Sequence, residues 1–352
     1  MSPTPETQGR LVTIGHRVLG AVVRYGVVAA VALLLFSIIL LISGKDPIQS
    51  YRDILTSSFG STYGFSEVIV AMTPLLLTAL AVALPSRIGM INVGGEGQLY
   101  MGACFATWGA LTFSYLPAWI LLPVLVVLGM IGGGFWAFIP GYLRAKGLVN
   151  ETISTLLLNA VAPMIVSFFV FGYWHSPMDT NKTSNFSPSA RIPTLFDTRV
   201  DLSLVIALIL LVIFWFVMKY TRWGLEMRAI GGNPQAASRN GIPLRKYIVL
   251  VMCIAGAVAG LAGMAQVSGF YGVLLANFSR GIGYMGFLIS WLAGGSPLGI
   301  LLISFIVSVI ITGGNLLQLT RDLPYSVINI LLAFTLFVVL VRPSFIRKRK
   351  EV

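Results

Sequence analysis

Residues 222–243 read RWGLEMRAIGGNPQAASRNGIP, a basic polar stretch lodged between the long apolar runs 202–218 and 247–268. It carries the signals of a short, self-contained helix. Asn233 is placed to act as N-cap. Pro234 suits the first helical position, where its missing N–H costs nothing, and Gly241 supplies a left-handed exit after Gln235–Arg239. A helix this short is marginal in water on its own. Something else must hold it, and a capped polar helix presented between two membrane-length runs reads as a docking lever for another protein.

The rest of the chain explains why the lever sits at a membrane. The 352 residues have a mean hydropathy of +0.88 and only 10% are charged, too apolar a balance for a soluble domain. Ten apolar runs are visible, at about 22–43, 67–84, 93–114, 118–140, 152–173, 202–218, 247–268, 282–295, 298–318 and 323–341. A bilayer core takes about 20 helical residues to cross. The reading is an all-α membrane protein of about ten transmembrane helices, with the eighth run too short for a straight crossing. The first run, Val22 to Ser43, exceeds the roughly 7–15 residues of a signal-peptide core, so a retained first span is expected.

The net charge of +12 does not indicate nucleic acid as a partner, because the basic residues form no stripe with interleaved aromatics. They lie at the ends of the apolar runs. Alternating the loops between two sides puts 17 Lys and Arg residues on the N-terminal side and 7 on the other, which places both termini in the cytoplasm and favours an even span count. The expected layout is a cytoplasmic segment 1–21, a transmembrane domain 22–341 and a basic cytoplasmic tail 342–352. Within the domain, 44–66 and 174–201 are extracytoplasmic loops and 219–246 is a cytoplasmic segment containing the capped helix. Membrane lipid is the surrounding partner.

Catalytic chemistry has few residues to run on. There is no GxxxxGK[ST]; the nearest fragment, Gly44-Lys45-Asp46, lacks the upstream glycine and the hydroxyl. No HExxH occurs, and the two histidines, His16 and His175, are far apart in the topology. Cys104 and Cys253 both fall inside apolar runs and read as buried small hydrophobes. The chain is therefore read as a non-enzyme without metal or cofactor, and any energy source must come from elsewhere.

Two acidic residues stand out near the spans. Glu96 sits in Asn92-Val93-Gly94-Gly95-Glu96-Gly97-Gln98, where three glycines in four residues can break or thin a helix. Glu151 opens a run in which Thr155 and Asn159 fall on about the same helical face. A lone carboxylate facing lipid would cost a few kcal/mol, so these groups should face the bundle interior. Asn92, Glu96, Gln98, Glu151, Thr155 and Asn159 are candidates to line a solute pathway or to brace the helices that do. Trp108, Phe287 and Trp291 are candidates to stack a planar solute. A glycine-rich approach followed by a span occurs at 89–102 and again at 281–295, the kind of echo found where interrupted helices are paired.

Three pieces together resemble permease subunits of bacterial ABC importers serving ribose, branched-chain amino acids and nucleosides. They are Ile91-Asn92-Val93-Gly94-Gly95-Glu96-Gly97-Gln98, Asn150-Glu151-Thr152-Ile153-Ser154-Thr155-Leu156-Leu157-Leu158-Asn159 and Ala229-Ile230-Gly231-Gly232-Asn233-Pro234-Gln235-Ala236-Ala237-Ser238-Arg239-Asn240-Gly241-Ile242. The first two are most similar to the nucleoside branch, and the resemblance covers roughly residues 20–342. Gly95 departs from the pattern, where a bulkier residue is expected.

The resemblance implies a type II importer permease, multi-pass in the bacterial plasma membrane. It would work with an ABC ATPase that carries ATP-Mg, a second permease subunit (another chain or a second copy) and an extracytoplasmic solute-binding protein. Gly231, Gly232, Asn233, Pro234, Gln235, Ala236, Ala237, Ser238, Arg239 and Gly241 would form the coupling helix and its flanks against the ATPase. The implied solute is a nucleoside. Ribose or a branched-chain amino acid would use the same machinery, and an ion-coupled carrier built on Glu96 and Glu151, or a scaffold without transport, are the readings from other classes.

Overall fold

A computed structural model describes residues 33–321 except 178, 196 and 197, together with 330 and 333. The helices in order are α1 (Leu33–Ile42), α2 (Pro47–Phe59), α3 (Thr62–Ser86), α4 (Gly95–Thr112), α5 (Ala118–Ala145) and α6 (Glu151–Phe171). After a short hairpin, β1 (His175–Ser176) and β2 (Asp179–Thr183), come α7 (Ser203–Tyr220), α8 (Arg222–Gly232), α9 (Pro234–Arg239) and α10 (Leu244–Met264). The last two are α11 (Ile282–Leu292) and α12 (Pro297–Arg321). A π-helical turn, Ala265–Tyr271, continues α10.

Six of the described helices are long and apolar enough to cross a membrane: α3, α5, α6, α7, extended α10 and α12. A seventh crossing arises if α1 and α2, bent by 115° at the break between them, share one. The third and eighth apolar runs fall on α4 and α11. α4 has 18 residues but carries Glu96 and Gln98, while α11 has only 11, about 16 Å of helix or half a bilayer core. Segment 44–66, expected as an outer loop, is largely helical, since it holds α2 and the start of α3. The all-α reading is amended by the antiparallel hairpin β1–β2 in segment 174–201. Residues 1–21, the start of the first run, the tenth run apart from 330 and 333, and the tail lie outside the described residues.

The described residues divide into two compact units, 33–57 with those from 313 onward, and 58–312. In the first, Tyr51 folds against α1, its hydroxyl donating to the Leu33 carbonyl at 2.6 Å and its ring lying 6.0 Å from Phe36. The second unit is organised around α3 and α10. In α3, 83% of the most apolar stretch is buried, against 28% in α5 and α7, so α3 is a central helix and the other two are peripheral.

The seam of α4, α5 and α10 explains the close packing of the second unit. A Cβ on Gly133 would overlap the Gly256 carbonyl, and one on Gly260 the Gly129 carbonyl. One on Gly102 would overlap Gly260, and one on Gly263 the Leu99 carbonyl. Lipid chains are as apolar as leucine, so membrane helices gain little by hiding apolar surface from them. They associate by close backbone approach at small residues, and Gly129/Gly133 and Gly256/Gly260 repeat the four-residue spacing that allows it.

Gly260→Val should therefore sharply reduce the amount of chain extractable as a monodisperse species in mild detergent. Gly232→Ala, where a Cβ meets nothing within 4 Å, should leave that yield unchanged. Size-exclusion yield at matched expression reads both.

Candidate functional site

Past the end of α3 the chain turns back on itself. Residues 90–93 are not helical, and α4 begins at Gly95 with Gly94 as its N-cap. The glycines of 94–97 thus mark a helix start, where the sequence suggested a break or thinning within a span. Gly94 has no side chain to cap with, and the burial of this start demands other partners for its backbone.

Those partners are the polar residues singled out from sequence. The amides of Asn92 and Gln98 bond each other reciprocally at 3.1 and 3.0 Å, and Asn92 Oδ1 also accepts from Gly94 N at 3.0 Å. Asn159, reaching across from α6, accepts from Gly97 N and donates to the Val93 carbonyl, both at 2.8 Å. Glu151 accepts from Ile91 N at 3.4 Å and pairs with Arg144 at 3.0 Å. Thr155 bonds the Glu151 carbonyl one turn back at 2.7 Å and packs against the start of α4 near Gly94.

Glu96 faces the other way. Its carboxylate accepts from Gly281 N at 3.2 Å and Gly283 N at 2.7 Å, the first amides of α11. A negative charge there complements both the orphan N–H groups and the helix dipole. The approach is close because Gly283 has no Cβ to strike the Glu96 backbone, and Gly95 leaves room for the Gly283 carbonyl. Tyr100, one turn along α4, donates to Asn277 Oδ1 at 3.2 Å and meets Phe278 edge-on at 4.8 Å.

Six of the nine pathway candidates therefore form one buried cluster around the α4 start: Asn92, Glu96, Gln98, Glu151, Thr155 and Asn159. Their polar groups are engaged with the protein. The three aromatic candidates lie elsewhere. Trp108 is half-exposed towards the far end of α4 against Phe113, and Phe287 stacks with exposed Trp291 along α11 at 5.9 Å.

The segment between α7 and α10 is a helix–kink–helix. Thr221 caps α8 by accepting from Gly224 N at 3.2 Å. Asn233 ends α8 and caps α9, its Oδ1 accepting from Ala236 N at 3.0 Å. The exit closes with two bonds, Gly241 N to the Ser238 carbonyl and Ile242 N to the Ala237 carbonyl, at 3.0 and 3.1 Å. With Gly241 at φ +82° this is a Schellman turn. Ala237 is buried, while Pro234, Gln235, Ala236, Ser238 and Arg239 are exposed.

Arg87, Arg228 and Glu226, which sequence reasoning did not single out as site residues, fix this segment together with Gly231 of the predicted coupling set. Gly231 lies directly on the Arg87 carbonyl, where a Cβ would not fit, whereas Gly232 faces open space. Arg87 donates to the Gly295 carbonyl after α11 and lies over the Phe214 ring, 5.6 Å from its centroid. Arg228 donates to the Met218 carbonyl near the end of α7. Both cations thus sit at helix C-termini, where the dipole favours them. Glu226 accepts from the Tyr247 hydroxyl and from Arg222, which together hold its carboxyl below the usual range. A basic residue directly after an apolar run, as at Arg87, was the available signal.

On the far side of α10, segment 174–201 is pinned along the π-helical turn and the loop that leads on to α11. Thr183 N bonds the Leu274 carbonyl, Phe186 N the Gly272 carbonyl and Ile192 N the Ser268 carbonyl, at 2.9–3.0 Å. Arg199 pairs with Glu67 at 2.6 Å and donates to the Tyr63 hydroxyl at 3.0 Å.

A family model described as the permease component of branched-chain amino acid transport systems matches residues 64–340. A nucleoside ABC transporter permease of Lactococcus lactis subsp. cremoris is 34% identical, covering 88% of each chain. A guanosine ABC transporter permease of Bacillus subtilis is 32% identical over 86% of this chain and 88% of its own length. A glucose ABC transporter permease of Haloferax volcanii is 33% identical over 86% and 83%. Among solved structures, PsaBC from Streptococcus pneumoniae in complex with Fab matches with a TM-score of 0.50 at 13% identity, covering 83% of this chain and 96% of that one, a likeness of fold.

Asn159→Ala would orphan Gly97 N and the Val93 carbonyl, both buried, at a cost of roughly 1–3 kcal/mol. The expected result is a lowered thermal midpoint in detergent with a larger loss than Trp291→Ala, which removes an exposed side chain.

Proposed function

The chain belongs to the family of branched-chain amino acid transport system permease components, and on that premise we propose that it is the permease subunit of an ATP-driven importer of nucleosides. The observation that carries the solute is the pair of relatives named for nucleosides and guanosine, at 34% and 32% identity over nearly the whole chain. The glucose permease at 33% favours a second reading, a sugar handled by the same machinery.

In the proposed machine α9 is the coupling helix. Its exposed residues Pro234, Gln235, Ala236, Ser238 and Arg239 seat in the ATPase, which holds ATP-Mg, and its two caps keep it rigid under load. The full chain makes about ten crossings, the eighth shared between α11 and the residues flanking it, with both termini in the cytoplasm, the side to which 17 of the 24 basic residues are assigned. A second permease subunit completes the pathway. A solute-binding protein docks on segment 174–201, whose anchoring to α10 suits it to transmit that contact. The buried cluster around Glu96 and Asn159 braces the pathway, and Trp108, Phe287 and Trp291 supply flat apolar faces for a planar base.

Replacing residues 231–241 by a flexible linker of equal length should abolish co-purification of the ATPase and ATP-dependent uptake together. Retention of both would remove the coupling role from α9. In proteoliposomes holding the whole complex, unlabelled guanosine should suppress uptake of radiolabelled nucleoside, and glucose at equal concentration should not. The reverse pattern would support the sugar reading.

A further inference from the structure

The short helix α11 is held at both ends by side chains of opposite charge, each matched to the dipole at that end. At its N-terminus the Glu96 carboxylate takes the amides of Gly281 and Gly283, and at its C-terminal exit the Arg87 guanidinium takes the Gly295 carbonyl. The two side chains come from different elements. Glu96 belongs to the first turn of α4, and Arg87 is the C-cap of α3. The backbone of Arg87 carries the end of α8 through Gly231, one residue and a kink before α9. Along its length α11 lies on α3 without a gap, since Gly286 has no Cβ to strike Thr78.

We propose that α11 is a strut that carries the displacement of the α8–α9 segment into the centre of the bundle, and that Arg87 and Glu96 are the positioning residues at its two ends. This rests on the coupling role of α9. A push on α9 reaches α8, and Gly231 bears on the carbonyl of Arg87. Arg87 holds the C-terminal exit of α11, and the rigid helix delivers the movement about 16 Å away at Glu96, where α4 starts. Because the α4 start is also the point at which Asn92, Gln98 and Asn159 hold the non-helical segment 90–93, a shift there is felt by α6 as well. Neither residue need touch solute.

The test is a double-substitution cycle in the whole reconstituted complex, reading solute imported per ATP hydrolysed. Arg87→Met removes the grip on Gly295 but leaves an apolar side chain over Phe214. Glu96→Gln keeps the shape but sets an amide against two backbone donors. Each single change should lower uptake per ATP on the order of tenfold while ATPase association and hydrolysis persist, within the range of coupling energies between sites. The pair together should do no worse than either alone, because both break the same strut. Groups this far apart that act independently combine multiplicatively, giving about a hundredfold loss. A hundredfold loss, or an unchanged ratio in either single variant, would overturn the proposal.

Arg87→Lys keeps the cation at the helix exit and should restore at least half of the wild-type ratio, which a packing defect would not. If either harsher variant fails to assemble, Arg87→Lys and Glu96→Asp form the cycle, and multiplicative losses there overturn it equally. Loss of the coupling reading itself would appear separately, as ATPase association that survives the linker replacement at 231–241.

Discussion

A lipid bilayer supplies no water to a broken helix, so each interruption of the backbone ladder must be repaired by protein groups. This constraint governs the second unit of the chain. The non-helical stretch 90–93 and the starts of α4 and α11 leave N–H and carbonyl groups without helical partners in a buried setting. Asn92, Glu96, Glu151 and Asn159 meet them at 2.7–3.4 Å, and Gln98 holds the Asn92 side chain in place. An isolated unmet group of this kind costs roughly 1–3 kcal/mol, so several together would rival the net stability of a domain. The polar residues that look like a solute-binding set in the sequence are first of all what makes two interrupted helices tolerable.

The same arrangement gives the fold its mechanical character. Helix ends exposed by the interruptions are charge-matched, Glu96 at a start, Arg87 and Arg228 at exits. The seam of glycines between α4, α5 and α10 lets backbone bear on backbone, and packed interiors of this kind shift between discrete arrangements rather than deforming smoothly. A rigid, capped α9 joined to such a core is suited to transmit force. An apolar, loosely packed bundle would absorb it.

Much of this is legible in the sequence because it is encoded locally. Asn233, Pro234 and Gly241 announce a helix by chemistry confined to a few residues, and α9 forms between those bounds. The apolar runs locate the helices for the same reason. The shortness of the eighth run points to α11, whose 11 residues cannot span a bilayer core. The hidden part depends on contacts between distant parts of the chain. Asn159 meets Gly97 across 62 residues, Glu96 meets Gly283 across 187 and Arg87 meets Gly295 across 208. No periodicity reports such pairs. Segment 44–66 reads as a loop because α2, with Gln49, Arg52 and Asp53, is too polar to register as an apolar run.

The proposed import function requires α9 to face the cytoplasm and to seat in the ATPase. A single cysteine at Gln235, an exposed position on α9, in a chain whose two native cysteines are replaced by alanine, tests this in native membranes. With a short bifunctional cross-linker, the account predicts a product containing this chain and the ATPase subunit, and no labelling of intact cells by a membrane-impermeant thiol reagent. Labelling from outside, or a cysteine reactive in broken membranes that never joins to the ATPase, would contradict it.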